Sequence, residues 1–149
     1  MGLRKTSSMI KIHGSSVEIN GQGILLTGPS GAGKSDLALR LVDDGATLVA
    51  DDYTVVAVDG GQVMISPPRE IAGKLEVRGL GIIKLPFTEK APLRAVFELV
   101  NYRDIERMPE DTTVILDGVM VPQYRIDPFT ASAAAIIRRA LDKDGMGIT

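Results

Sequence analysis

Apolar residues in this chain fall mostly into short runs with strand periodicity, broken by Gly, Pro, Asn and Asp. Ile10 to Ile12 and Ser16 to Ile19 read as short strands meeting at His13-Gly14, and Asn20-Gly21 is a strong hairpin-turn signal. Gly23 to Thr27 is continuously apolar, as a strand buried on both faces would be. Leu37, Ala38, Leu41 and Val42 then recur at helical spacing, predicting a helix over Lys34 to Val42 that stops at Gly45. Thr47 to Ala50 predicts another buried strand. Tyr53 to Val58 and Gln62 to Ile65 predict a hairpin about Asp59-Gly60-Gly61. After the break at Ser66-Pro67-Pro68, strands are expected over Ile71 to Val77, Gly81 to Leu85, Leu93 to Val100 and Thr113 to Leu116. An Ala-rich closing helix is expected over Pro128 to Leu141. Hairpins and helices together predict an α/β fold with a mixed sheet.

Composition narrows the chemistry. A chain of 149 residues predicts one domain, with residues 1–9 expected to be disordered. The net charge of −2 supplies no basic field for nucleic acid. With no cysteine and a single histidine, His13, thiolate and multi-histidine metal sites are excluded, so a metal would need oxygen ligands, which suits Mg²⁺. The polar opening Met1 to Ser8 reads as neither a secretory signal nor a membrane span. Met1-Gly2 with Thr6 meets the myristoylation pattern formally, but so short a pattern is cheap to match, and a cytoplasmic enzyme is the simpler reading.

The strongest signal is Gly28-Pro29-Ser30-Gly31-Ala32-Gly33-Lys34-Ser35, a complete P-loop between the buried strand and the helix. Glycines let backbone N–H groups turn inward around phosphate oxygens, and the helix N-terminus adds partial positive charge. Lys34 is expected to reach the β- and γ-phosphates of a nucleoside triphosphate such as ATP, and Ser35 to ligate Mg²⁺. A Gly-rich turn that merely caps a helix is the bland alternative. P-loop enzymes also need an acid at the end of a second apolar strand. Asp51-Asp52 after Leu48-Val49-Ala50 fits, as does Asp117 after Val114-Ile115-Leu116, although Asp117-Gly118 is also a common turn dipeptide. Adjacent carboxylates repel unless a cation offsets them, and a pair permits one acid near metal or water and the other as base.

Gly28 to Ser35, then Leu48-Val49-Ala50-Asp51-Asp52, then Leu75-Glu76-Val77-Arg78-Gly79-Leu80-Gly81-Ile82-Ile83, in this order and spacing, resemble the catalytic domain of bacterial HPr kinase/phosphorylase. The resemblance runs from about His13 to the closing helix. It implies a P-loop fold similar to that of phosphoenolpyruvate carboxykinases, an ATP-dependent kinase of a serine on the phosphocarrier HPr, and a hexamer. Position by position, Asp52 resembles the general base, a role that calls for a pKa raised by Asp51 or by burial. His13 resembles a histidine that tunes that base, Glu76 a second metal-associated acid, and Arg107 a catalytic arginine, with Arg103 as a competing choice. Without the resemblance, His13 would read as a turn residue and Glu76 with Arg78 as a surface pair on one strand face.

Three departures qualify the resemblance. Only about a dozen residues precede the match, as in the family's shortened form. Asp36 stands where Glu is frequent. In Val121 to Pro128 only a Pro and an Arg survive of the segment that supports dephosphorylation, so kinase activity is favoured over phosphorolysis. A small-metabolite P-loop kinase and a nucleotide-binding regulatory module with weak turnover are the competing readings; Asp52 separates the module from the kinase, because binding alone needs no base.

Overall fold

The computed structural model describes residues 9–143. The expectation for 1–9 falls outside these residues except at Met9, which is ordered in the first strand; the Gly2 pattern lies wholly outside them. The strands are β1 (Met9–His13), β2 (Ser15–Ile19), β3 (Gln22–Thr27), β4 (Thr47–Ala50), β5 (Tyr53–Asp59), β6 (Gln62–Ser66), β7 (Lys74–Val77), β8 (Gly81–Lys84), β9 (Ala91–Leu99), β10 (Thr112–Leu116) and β11 (Val119–Ile126). The helices are α1 (Lys34–Asp43) and α2 (Ala133–Leu141).

The sheet is mixed, as the alternating patterns predict. β3 and β11 flank β9 and run parallel to it, whereas β2 is antiparallel to both β3 and β4. β9 also takes β6 through Ala91 and Pro92, and β6 leads on to β5 and β1. β7 and β8 form a separate hairpin. β3 is covered on both faces. Ile24 and Leu26 pack with Leu37 and Leu41 of α1 and Ile137 of α2, while Leu25 packs with Val49, Val56 and Ile65. That two-sided burial accounts for its unbroken apolar run.

Turn chemistry follows the sequence closely. Ile19 pairs with Gln22 across Asn20 (φ 51°) and Gly21 (φ 82°), a two-residue turn of the type that suits strand twist. At the end of α1, Gly45 N–H donates to the Val42 carbonyl and Ala46 N–H to that of Leu41, closing the helix through a left-handed glycine.

Three expectations change. β11 was not anticipated, because Pro122 lies inside it. Pro122 faces Thr113 of β10, and pairing with β9 starts only at Gln123, so its missing N–H is not required there. The closing helix begins at Ala133 rather than Pro128: Asp127 Oδ1 accepts the Phe129 N–H at 2.9 Å, and the Thr130 hydroxyl donates to the Asp127 carbonyl at 3.2 Å, folding these residues into a turn. β7 begins at Lys74 rather than Ile71, since Arg69–Ile71 forms a 3-10 turn and Gly73 follows at φ 75°. Among the described residues no helix is long and apolar enough to cross a membrane.

Candidate active site

Because β2 runs antiparallel between β3 and β4, its first residues lie at the sheet edge where β3 and β4 end. His13 to Ser15, the Gly28–Ser35 loop and Asp51-Asp52 are thereby brought together from three parts of the sequence. Of these, His13, Ser15, Lys34, Ser35 and Asp52 border an open cleft of about 520 Å³, to which Glu76, Val77 and Arg78 of the β7–β8 hairpin and Phe129 also contribute.

The loop leaves β3 and enters α1 through Gly33, whose φ of 101° is one that side chains rarely adopt. Among the described side chains none caps the start of α1, so the first N–H groups of the helix remain available to an anion. Lys34 is only 7% exposed, and its ammonium donates to the carbonyls of Gly28 at 2.7 Å and Pro29 at 2.9 Å. Burial pushes its pKa below the ordinary 10.5, against the opposing pull of Asp52 and Asp51.

The two acids have different surroundings. Asp51 is 5% exposed. Its Oδ1 accepts from the Ser35 hydroxyl at 2.6 Å and the Ser15 hydroxyl at 2.8 Å, and its Oδ2 from the Glu76 N–H at 3.2 Å. The Asp52 side chain is 65% exposed and lies 3.4 Å from His13 Nε2. Its backbone has φ 69°, and the Tyr53 N–H reaches back to the Asp51 carbonyl at 2.7 Å, a γ-turn with positive φ. Gly14, between β1 and β2, clamps this turn: its N–H donates to the Asp52 carbonyl at 2.9 Å, and the Thr54 hydroxyl of β5 donates to the Gly14 carbonyl at 3.0 Å. Only glycine fits at position 14, where a Cβ would come within 2.7 Å of the Leu26 carbonyl oxygen.

Ser35 and Asp51 bring two hard oxygens together, the kind of donor a divalent cation prefers, and Glu76 adds its backbone N–H to Asp51 and lines the same cleft. Among the described residues no three His, Asp or Glu side chains are grouped so as to hold a metal ion by themselves. Asp51, which composition and spacing left without a role of its own, is the acid that meets Ser35. The signal lay in β4, where the run of buried residues Leu48, Val49 and Ala50 continues through Asp51 and ends at Asp52.

Arg107 is not brought into the cleft, and neither is Arg103. Both are exposed on the irregular segment between β9 and β10, which no strand pairing holds against the site; Arg78 is the guanidinium that lines it. Asp117 at φ 49° and Gly118 at φ 84° form the β10–β11 turn, so of the two strand-end acids it is the Asp51-Asp52 pair that meets the loop.

Residues 4–142 match the profile of the HPr Serine kinase C-terminal domain. The chain belongs to that family. It is similar to the HPr kinase/phosphorylase of Chlorobium phaeobacteroides (strain BS1), at 38% identity over 130 residues, covering 78% of this chain and 38% of the relative. The HPr kinase/phosphorylase of Clostridium beijerinckii is 46% identical over 107 residues, covering 67% of this chain and 35% of that protein. The chain thus spans about two fifths or less of the length of these relatives. The solved structure of the Hpr(Ser) kinase/phosphatase from Coxiella burnetii superposes with a TM-score of 0.82 at 24% identity, covering 93% of this chain and 97% of that one. At that identity the likeness establishes an α/β fold with the mixed sheet of an HPr serine kinase C-terminal domain.

Ser15 offers a direct check on how the acids are held. Removing its hydroxyl takes one donor from a buried carboxylate, so Ser15→Ala should lower stability by about 2 kcal/mol in urea unfolding. A loss below about 0.5 kcal/mol would show that Asp51 does not depend on this bond.

Proposed function

We propose that this chain is an ATP-dependent protein-serine kinase acting on HPr or a closely related phosphocarrier. One observation carries the reading: a triphosphate-type loop with Lys34 and Ser35 shares an open cleft with an exposed acid, Asp52, paired with His13, while its Ser35 bonds a buried acid, Asp51. The loop main chain, Lys34 and Arg78 would hold the phosphates, in a P-loop arrangement of the phosphoenolpyruvate carboxykinase type. Ser35, Asp51 and Glu76 would hold Mg²⁺, which would neutralise charge on the β- and γ-phosphates. Asp52 would accept the proton of the incoming serine hydroxyl as its oxygen bonds to the γ-phosphorus and the bond to the β-phosphate oxygen breaks, leaving ADP. His13 would hold the Asp52 carboxylate in place.

The exposure of Asp52 supports a protein acceptor over a small metabolite, since the base lies where a loop of a partner can reach it. The kinase direction is favoured over phosphorolysis because Arg125, the arginine kept from the dephosphorylation segment, pairs with Glu98 at 3.2 Å on the strand surface. Arg107 or Arg103 would act only if the segment carrying it closed over the acceptor. By resemblance we further propose one kinase domain over 1–149, a cytoplasmic setting and a hexamer.

The test is transfer from labelled ATP with Mg²⁺ to purified HPr, read as phosphoserine. Transfer that Asp52→Asn lowers by roughly a thousandfold is expected. Tight nucleotide binding with no transfer to HPr would overturn the reading and leave a nucleotide-binding module.

A further inference from the structure

The turn after β11 places an aromatic ring beside the phosphate loop that nothing in the transfer chemistry requires. Phe129 is 70% exposed, yet its backbone is fixed from several sides. Its N–H donates to Asp127 Oδ1 at 2.9 Å, while Asp127 Oδ2 accepts the Tyr102 N–H at 2.9 Å, tying the turn to the segment after β9. Arg40 of α1 donates through Nη2 to the Pro128 carbonyl and through Nε to Asp36 at 3.0 Å. The ring lies against Gly33, where a Cβ would come within 3.0 Å of Phe129 Cζ. A large apolar side chain is thus held in water at the mouth of the cleft.

The sheet order says which part of a nucleotide would meet it. Across the edge the strands run β11, β9, β3, β2, β4. The phosphate loop follows β3, in the middle. Asp51 and Asp52 follow β4, two strands to one side, and Phe129 follows β11, two strands to the other. A triphosphate whose terminal phosphate faces Asp52 therefore directs its nucleoside toward β11.

We propose that Phe129 is the stacking platform for the base of the bound nucleotide, an inference that rests on the nucleotide reading above. Every purine presents a similar π-face, and stacking on an aromatic ring is tolerant of base identity. ATP and GTP should accordingly bind with similar affinity.

The experiment compares MgATP with Mg-tripolyphosphate, which carries the phosphates without a base, by calorimetric titration of the full chain. Phe129→Ala should weaken MgATP at least about fivefold and leave tripolyphosphate within about twofold, whereas Phe129→Tyr should restore MgATP. Loss of both ligands alike would make Phe129 a support for Gly33 rather than a base platform, and unchanged MgATP affinity would overturn the proposal outright. If the wild-type chain bound neither ligand, the nucleotide reading itself would fall, and the platform with it. If it bound tripolyphosphate as tightly as MgATP, the platform alone would.

Discussion

Asp52→Asn is expected to lower phosphoryl transfer to HPr by roughly a thousandfold while leaving MgATP affinity within about twofold. Positioned general bases contribute on the order of 10² to 10⁴ in rate, and an amide of the same shape cannot take the serine proton. The side chain is 65% exposed, and its contact with His13 at 3.4 Å is at the surface. Losing that contact should cost little stability. The backbone makes a second, opposite prediction. A non-glycine residue at φ 69° in a γ-turn stores strain on the order of 1–3 kcal/mol, held here by Gly14 and Thr54. Asp52→Gly should relieve part of it, raising unfolding stability by about 1 kcal/mol while abolishing transfer. An inactive but stabilised variant would mark Asp52 as a residue kept for chemistry at the expense of the fold. Near-normal transfer by Asp52→Asn would remove it from the role of base.

Lys34→Met should weaken MgATP binding on the order of a hundredfold, as expected for loss of a charge-assisted contact to phosphate. The ligand-free protein should respond differently. Lys34 is buried, and burial is the larger influence on its pKa, lowering it from 10.5. The folded state therefore binds this proton less tightly than the unfolded chain does. The charged ammonium costs stability below the folded pKa, and that cost is relieved as pH rises through the folded pKa toward 10.5. In Lys34→Met that alkaline gain should disappear, so urea midpoints of wild type and variant should converge, or cross in favour of wild type, as pH rises. Identical pH slopes for the two proteins would show that Lys34 carries no such burial cost.

Much of this molecule was legible along the chain because its signals are local. Apolar alternation with Asn20-Gly21 and Gly60-Gly61 specifies two hairpins whose register follows from turn geometry alone. The Gly28–Ser35 loop is a short contiguous motif, so its position between β3 and α1 could be read without a fold. A strand containing Pro122 could not, since only the pairing partner decides whether the missing N–H matters. Nor could the start of α2, where side-chain bonds from Asp127 compete with helical ones.

The division is sharpest at the acids. A P-loop motif and an acidic pair are readable along the chain, because each is a short motif whose chemistry depends on neighbouring residues. Which acid is buried and which is exposed follows from the packing of the sheet. β2, threaded antiparallel between β3 and β4, turns Asp51 inward onto Ser15 and Ser35 and leaves Asp52 outward beside His13. The same sheet order leaves Arg107 outside the cleft and sets Phe129 on the flank of the loop opposite the acids. Distances across strands depend on pairing order, and pairing order is set by burial of the whole sheet rather than by any stretch of sequence within it.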